Sequence, residues 1–226
     1  MPRAALFVFA ALALFVAGCG GGKSAEPTTT TPSDLGREVM TAFVAAARSG
    51  DSETMWELMS EPSRRRYGPE LEDFMTGEAK KLRKQLAPFA EGKLPVQVSE
   101  NIDGLFGLVA LSKGPHAYAT PLRLEGGTWK VELPGRLKID VSGPPPGSKG
   151  KFAKQIGVEV KGRSGGGTAL LYLDGVTLFD PKIYSSPRTA TVFAGLPNGV
   201  TPGRHTAVAF ATSGNTAAAT AWTFVP

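Results

Sequence analysis

The chain has 226 residues, 42% of them hydrophobic, with 25 Lys/Arg against 20 Asp/Glu and one cysteine. That length and apolar content fit two modest packed domains rather than a disordered chain. A lone cysteine excludes an internal disulfide as a source of stability.

The N-terminus reads as an export signal. Met1-Pro2-Arg3 carries a positive charge, Ala4 to Val16 form a 13-residue apolar run, and Val16-Ala17-Gly18-Cys19 places small residues at a cleavage point. The run falls short of the about 20 residues a membrane-spanning helix needs. The last four residues resemble the lipobox of bacterial lipoproteins. The resemblance implies cleavage between Gly18 and Cys19, a diacylglyceryl group on Cys19, and an extracytoplasmic protein anchored to a bacterial membrane. Residues 1–18 are then the signal peptide.

Residues 19–33 follow as the lipidated cysteine and a tether. From Gly20 the tether is rich in Gly, Thr and Pro, without apolar periodicity. Its flexible reach is roughly 20 Å.

Residues 34–134 form the first predicted domain. Ser33 or Asp34 is placed to cap a first helix, whose stripe is Leu35, Val39, Phe43 and Ala46. Gly50 ends it and Asp51 caps a short second helix with Met55, Leu58 and Met59 inward. After the breaks at Pro62 and Gly68-Pro69, one long helix is expected with Leu71, Phe74, Met75, Ala79, Leu82 and Leu86 on its apolar face. Strands follow. Val96 and Val98 alternate with polar neighbours, residues 104–112 are apolar on both faces, and 116–125 alternate again. Gly126-Gly127 marks a hairpin turn, after which Trp129, Val131 and Leu133 share a face. Helices followed by an antiparallel sheet suggest an α+β domain.

The opening helix ending Ala-Arg-Ser-Gly-Asp (residues 47–51) and the closing Pro-Leu-Arg-Leu-Glu-Gly-Gly-Thr-Trp-Lys-Val (residues 121–131) resemble the nuclear transport factor 2-like superfamily. That resemblance implies a cone-shaped α+β domain, helices on a curved antiparallel sheet, with a mouth able to hold a small ligand. His116, Tyr118 and Trp129 are the candidate cone-pocket residues. A His116–Tyr118 pair on one strand face would be the place for isomerase or dehydratase chemistry. It lacks a positioned carboxylate, since Asp73 falls off the Leu71/Phe74 stripe. No catalytic residue is therefore assigned. The basic clusters Arg64-Arg65-Arg66 and Lys80, Lys81, Arg83, Lys84 read as solvated helix surface, because residues 61–93 hold 8 basic and 6 acidic residues.

Residues 135–226 form the second predicted domain, all β, with about seven short strands. Ile156, Val158 and Val160 alternate with polar or small residues, Asp174-Gly175 is a hairpin signal after residues 169–173, and residues 189–196 and 203–211 are further strands. Trp222 and Phe224 point together from the last strand. Leu-Tyr-Leu-Asp-Gly (171–175), Thr-Pro-Gly-Arg-His-Thr-Ala-Val (201–208) and the terminal Trp-Thr-Phe-Val resemble a bacterial immunoglobulin-like domain. The resemblance implies an all-β sandwich serving as spacer or adhesion module, with any binding function in loops such as 143–151 and 179–188. His205 reads as a structural hydrogen-bonding residue.

Charge divides with the domains: 13 Lys/Arg against 15 Asp/Glu over residues 34–134, and 10 against 4 over residues 135–226. The basic second half reads first as a solubilising surface; as a binding surface it points to anionic polymers or headgroups rather than nucleic acid, since no aromatic-interleaved basic stripe accompanies it. No acidic cluster suggests a metal and no motif suggests a cofactor. The expected function is a membrane-anchored, non-enzymatic interaction or structural module of the cell envelope. Its expected partners are the membrane through Cys19 and an envelope protein or anionic polymer. A small-molecule carrier or sensor using the cone stands second, and an isomerase- or dehydratase-like enzyme third.

Overall fold

A computed structural model describes residues 32–149, 155–179, 181–196 and 200–226. The signal segment, Gly18, Cys19, most of the tether and part of the 143–151 loop lie outside the described residues.

The chain opens with α1 (Pro32–Ser49), α2 (Ser52–Leu58), α3 (Glu61–Tyr67), α4 (Leu71–Thr76) and α5 (Glu78–Leu86). The Asp51 carboxylate accepts the Thr54 amide at 3.0 Å and so caps α2. Gly50, at φ +80°, supplies the left-handed step that ends α1. Helix α1 starts at Pro32, which places Asp34 inside the first turn, where its charge favours the positive helix end. The expected long helix is two. Gly77, with φ −108° and ψ −87°, breaks it, and Met75 turns to solvent. Leu35 also sits at the surface, whereas Met40, Val44 and Ala47 join Val39, Phe43 and Ala46 in the core.

Strands β1 (Val96–Asn101), β2 (Phe106–Lys113), β3 (His116–Glu125) and β4 (Thr128–Val131) make an antiparallel meander. The β3–β4 hairpin turns through Gly126 and Gly127, both at positive φ, a conformation that strongly favours glycine. Eight more strands follow: β5 (Lys138–Gly143), β6 (Gln155–Lys161), β7 (Ala169–Leu173), β8 (Val176–Thr177), β9 (Lys182–Ser185), β10 (Thr189–Gly195), β11 (His205–Ser213) and β12 (Thr216–Phe224). They form two four-stranded antiparallel sheets, ordered β5-β6-β10-β9 and β12-β11-β7-β8.

Side-chain alternation stacks these elements into four layers. Val109 and Leu111 of β2 face the helices with Leu122, Trp129 and Val131, packing on Phe43, Met55, Phe74 and Leu86. Phe106, Leu108 and Ala110, on the other face of β2, meet Tyr172, Val208 and Phe210 of the β12-β11-β7-β8 sheet. The opposite face of that sheet, with Leu171, Ala207, Ala209, Trp222 and Phe224, packs on Ile156, Val158 and Val192 of the last sheet. All nine residues of β11 are buried, because that strand is covered on both sides.

This corrects the expected fold class. The described residues are mostly β, 43% strand against 26% helix, with three antiparallel sheets and five short α-helices among them, and they form no clear cone-shaped α+β domain. The physical reason is the face of β1 and β2 carrying Val98, Phe106, Leu108 and Ala110. It is apolar, so it takes a sheet from the second half of the chain as its cover.

Because both halves bury one face against each other, they should unfold together. Phe106→Ala and Phe210→Ala should each cost about 3–5 kcal/mol. Denaturant unfolding followed through Trp56, Trp129 and Trp222 should stay a single transition; separate transitions for the two halves would show that the seam does not couple them.

Candidate functional site

The structure does not bring His116, Tyr118 and Trp129 together. Trp129 is 5% exposed in the helix-facing core. His116 opens β3 at the surface, opposite Lys113 in the β2–β3 register. Tyr118 is half-buried and borders an open groove of about 330 Å³ where the helices, β3 and β12 meet. Tyr67, Glu78, Gln85, Thr120 and Thr220 share its wall, and His116 does not. Burial pushes the Tyr118 hydroxyl up to about 12, so near neutrality it is a proton-bearing group rather than a base. Tyr67 donates to the Pro134 carbonyl at 2.5 Å, and its pKa is also raised, first by burial and then by the Glu78 charge. The catalytic expectation needs His116 and Tyr118 in one pocket, and the carrier expectation needs a cone. The structure brings Tyr118, without His116, to this groove.

The clusters read as solvated surface are more engaged than expected. The Arg64 guanidinium lies 4.8 Å from the Trp56 ring centroid, Arg66 donates to the Pro134 carbonyl at 3.2 Å, and Arg83 donates to the Gly50 carbonyl at 3.0 Å and to Ser52. Only Arg65, paired with Glu61 at 2.6 Å on the surface, and Lys80, Lys81 and Lys84 fit the expectation. Guanidinium groups here join helices to carbonyls and rings, which a lysine could not do with the same geometry.

The most polar point in the interior was missed by sequence reasoning. Arg123 (5% exposed) lies in β3 and Glu132 (3%) directly follows β4. Arg123 Nε donates to Glu132 Oε2 at 2.9 Å and Nη2 to Oε1 at 3.3 Å. The same guanidinium reaches into the second half, donating to Asn215 Oδ1 at 2.7 Å and to the Asn215 carbonyl at 3.0 Å. Its plane lies 4.6 Å from the Phe106 ring centroid, and Ser60 donates to Glu132. Each guanidinium nitrogen and both carboxylate oxygens of this pair have a hydrogen-bond partner, as burial of two charges requires. The pair therefore positions the β11–β12 turn on the first sheet. The one signal in the sequence is an arginine inside the Pro-Leu-Arg-Leu segment, and its partner lies just past another strand.

His205 and Asp174 form a second linked pair. Asp174 stands at φ +50° in the β7–β8 turn; its Oδ1 accepts the Thr206 amide at 2.8 Å and its Oδ2 lies 2.6 Å from His205 Nδ1. His205 Nε2 is 2.8 Å from the Thr201 carbonyl. Both ring nitrogens face acceptors, so the imidazolium fits the site. Desolvation pulls its pKa down, but the Asp174 bond, the Thr201 carbonyl and the Asp174 charge together outweigh that and hold it above the ordinary value. With Nε2 engaged by a main-chain carbonyl, this pair is a turn clamp, not a Ser-activating dyad.

Among the described residues, no group of three or more His, Cys, Asp or Glu side chains could hold a metal ion, and no helix is long and apolar enough to cross a membrane. No protein-family model matches the chain, and no curated protein matches it.

Truncating Arg123 leaves Glu132 buried without its cation. Arg123→Met should cost about 3–5 kcal/mol in denaturant unfolding, and Arg123→Met/Glu132→Met should recover part of that loss. The His205 clamp has the opposite pH dependence from a carboxylate. Its folded pKa exceeds the unfolded value of about 6.5, so its stabilisation is complete below that pH and is lost as pH rises through the folded pKa. Unfolding free energy should therefore fall between about pH 6 and the folded pKa, and His205→Gln should flatten that slope. A slope unchanged in His205→Gln would assign it to other groups.

Proposed function

We propose that this protein is a lipid-anchored extracytoplasmic component of a bacterial envelope, acting as a rigid, non-enzymatic interaction module. The observation that carries the reading is the sole cysteine at position 19, directly behind Val16-Ala17-Gly18 and a 13-residue apolar run. Acylation gives that cysteine a role that a lone exported thiol otherwise lacks. Two or more acyl chains make the attachment durable.

The folded body supports the second part of the reading. Its strongest polar groups engage one another: Arg123 with Glu132 and Asn215, and His205 with Asp174. Arg123 to Asn215 ties the first sheet to the β11–β12 turn, and His205 to Asp174 clamps the β7–β8 turn within its own sheet. A body built this way presents its surface to a partner in one orientation, at the end of a short polar tether.

Radiolabelled or alkyne-tagged palmitate should label the wild-type chain. Cys19→Ala should abolish the label and move the protein from the membrane to the soluble fraction. An unlabelled wild type with a free Cys19 thiol would overturn the anchoring.

A further inference from the structure

One edge of the outer layers collects the exposed apolar side chains. Val176, Phe179, Ile183 and Tyr184 are 64%, 83%, 51% and 64% exposed, four of the seven large hydrophobic residues at the surface of the described structure. They lie within nine residues of sequence, on β8, the following link and β9. All four residues of β9 are exposed, and β9 is the edge strand of its sheet. Apolar side chains gathered on a sheet edge mark a contact surface.

Strand addition does not suit this edge. Ladder alternation turns only the Ile183 and Ser185 main chains outward, between Pro181 and Pro187, which have no N–H to give. Two residues are too short a template for a partner strand. The charges around the edge point elsewhere. Ile183 shares a small cleft with Arg163, and the Gly162 and Arg163 amides both donate to the Arg188 carbonyl, at 3.0 and 3.2 Å. Arg136 joins the same corner, because its carbonyl lies against Gly162. The described carboxylates of this half are already engaged: Asp140 and Glu159 pair with Lys161 at 2.8 and 3.1 Å, and Asp174 holds His205. No described carboxylate pairs with Arg136, Lys138, Lys182 or Arg188.

We propose that this edge docks on the anionic phospholipid surface of the membrane to which the protein is anchored. Phe179, Ile183 and Tyr184 enter the interfacial region, and Lys182 and Arg188 meet headgroup phosphates. Aromatic and aliphatic side chains ringed by cations are the composition that interfacial binding uses. The inference rests on the anchored reading for its geometry. The twelve residues between Cys19 and Pro32 span at most about 45 Å when extended, which keeps the body beside the bilayer. Anchor and edge together would lay the body along the membrane rather than let it swing.

The test separates the edge from the anchor by using the chain from Gly20 to Pro226, which retains every described residue and has no acylated cysteine. Co-sedimentation with phosphatidylglycerol-containing vesicles should exceed that with pure phosphatidylcholine vesicles and should weaken as salt is raised. Lys182→Gln/Arg188→Gln should lower the affinity by about twenty-fivefold, fivefold per charge. Phe179→Ser/Ile183→Ser should lower it by about tenfold or more, with the thermal unfolding midpoint unchanged. Absence of binding, or binding by both variants as tight as that of the unsubstituted chain, would overturn the proposal. So would concentration-dependent self-association removed by Phe179→Ser/Ile183→Ser, which would make the edge a contact between copies. Acylation of Cys19 is read independently from the mass of the mature N-terminal peptide, so a failed anchor and a failed edge give different results.

Discussion

The seam between the β1-β2-β3-β4 sheet and the β12-β11-β7-β8 sheet holds the architecture in place. Phe106 and Leu108 from one side and Tyr172, Val208 and Phe210 from the other are each 1% exposed or less. Burying a large apolar side chain contributes about 1.5–3 kcal/mol, so five such residues at one seam exceed any surface feature of the molecule. The consequence is structural as well as energetic. Once the seam closes, β2 and β11 become interior strands and the faces of both sheets are spent. The first sheet cannot curl open around a ligand because its second face is occupied.

Polar groups at the seam set its register, which apolar packing leaves loosely defined. Tyr172 donates to Glu100 at 3.0 Å, Ser112 and Thr206 hydroxyls are 2.6 Å apart, and Thr223 donates to the Pro115 carbonyl at 3.0 Å. Burial, followed by the Glu100 charge and bond, keeps the Tyr172 hydroxyl firmly protonated, so this donor persists across the working pH range. Arg123 adds a further tie, from β3 to Asn215 in the β11–β12 turn. The halves are thus tied by bonds between specific atoms rather than by contact area alone.

Local features were legible in the sequence because they are decided locally. Gly126-Gly127 and Asp174-Gly175 form their hairpins at positive φ, and Asp51 caps its helix. The apolar character of residues 104–112 on both faces also announced a covered strand, and β2 is covered. What covers it was not legible, since Tyr172, Val208 and Phe210 lie more than sixty residues away in the chain. Their own alternation looks like one face of a free sandwich. The cone expectation failed at that step: it named no cover for the second apolar face, and a neighbouring sheet took it. Gly77 shows the same limit on a smaller scale. The apolar spacing of Leu71 to Leu86 runs through it unbroken, but the missing side chain lets the backbone change direction. Arg123 and Glu132 read as ordinary alternating strand residues until the fold places them side by side.

The placement of the exposed apolar residues follows from the seam. A sheet stack uses its faces to hold itself together, and only the outer face, the strand edges and the turns remain for contact with anything else. On the outer face Lys161 draws in Asp140 and Glu159, making it a solvated, internally neutralised surface. At the edge, β9 pairs only with β10, Phe179 is exposed, and Tyr184 stays mostly exposed with its ring edge-on to Phe193. A protein with no use for that edge would carry lysines and polar residues there to suppress association. This chain keeps Lys182 but sets Ile183, Tyr184 and Phe179 around it. Among the described residues, Lys182 and Arg188 of the basic second half stand without a carboxylate partner beside this apolar edge. Charge alone would serve solubility, and apolar area alone would invite aggregation; their coincidence on one edge is the composition on which the proposed docking to an anionic, apolar-backed surface rests.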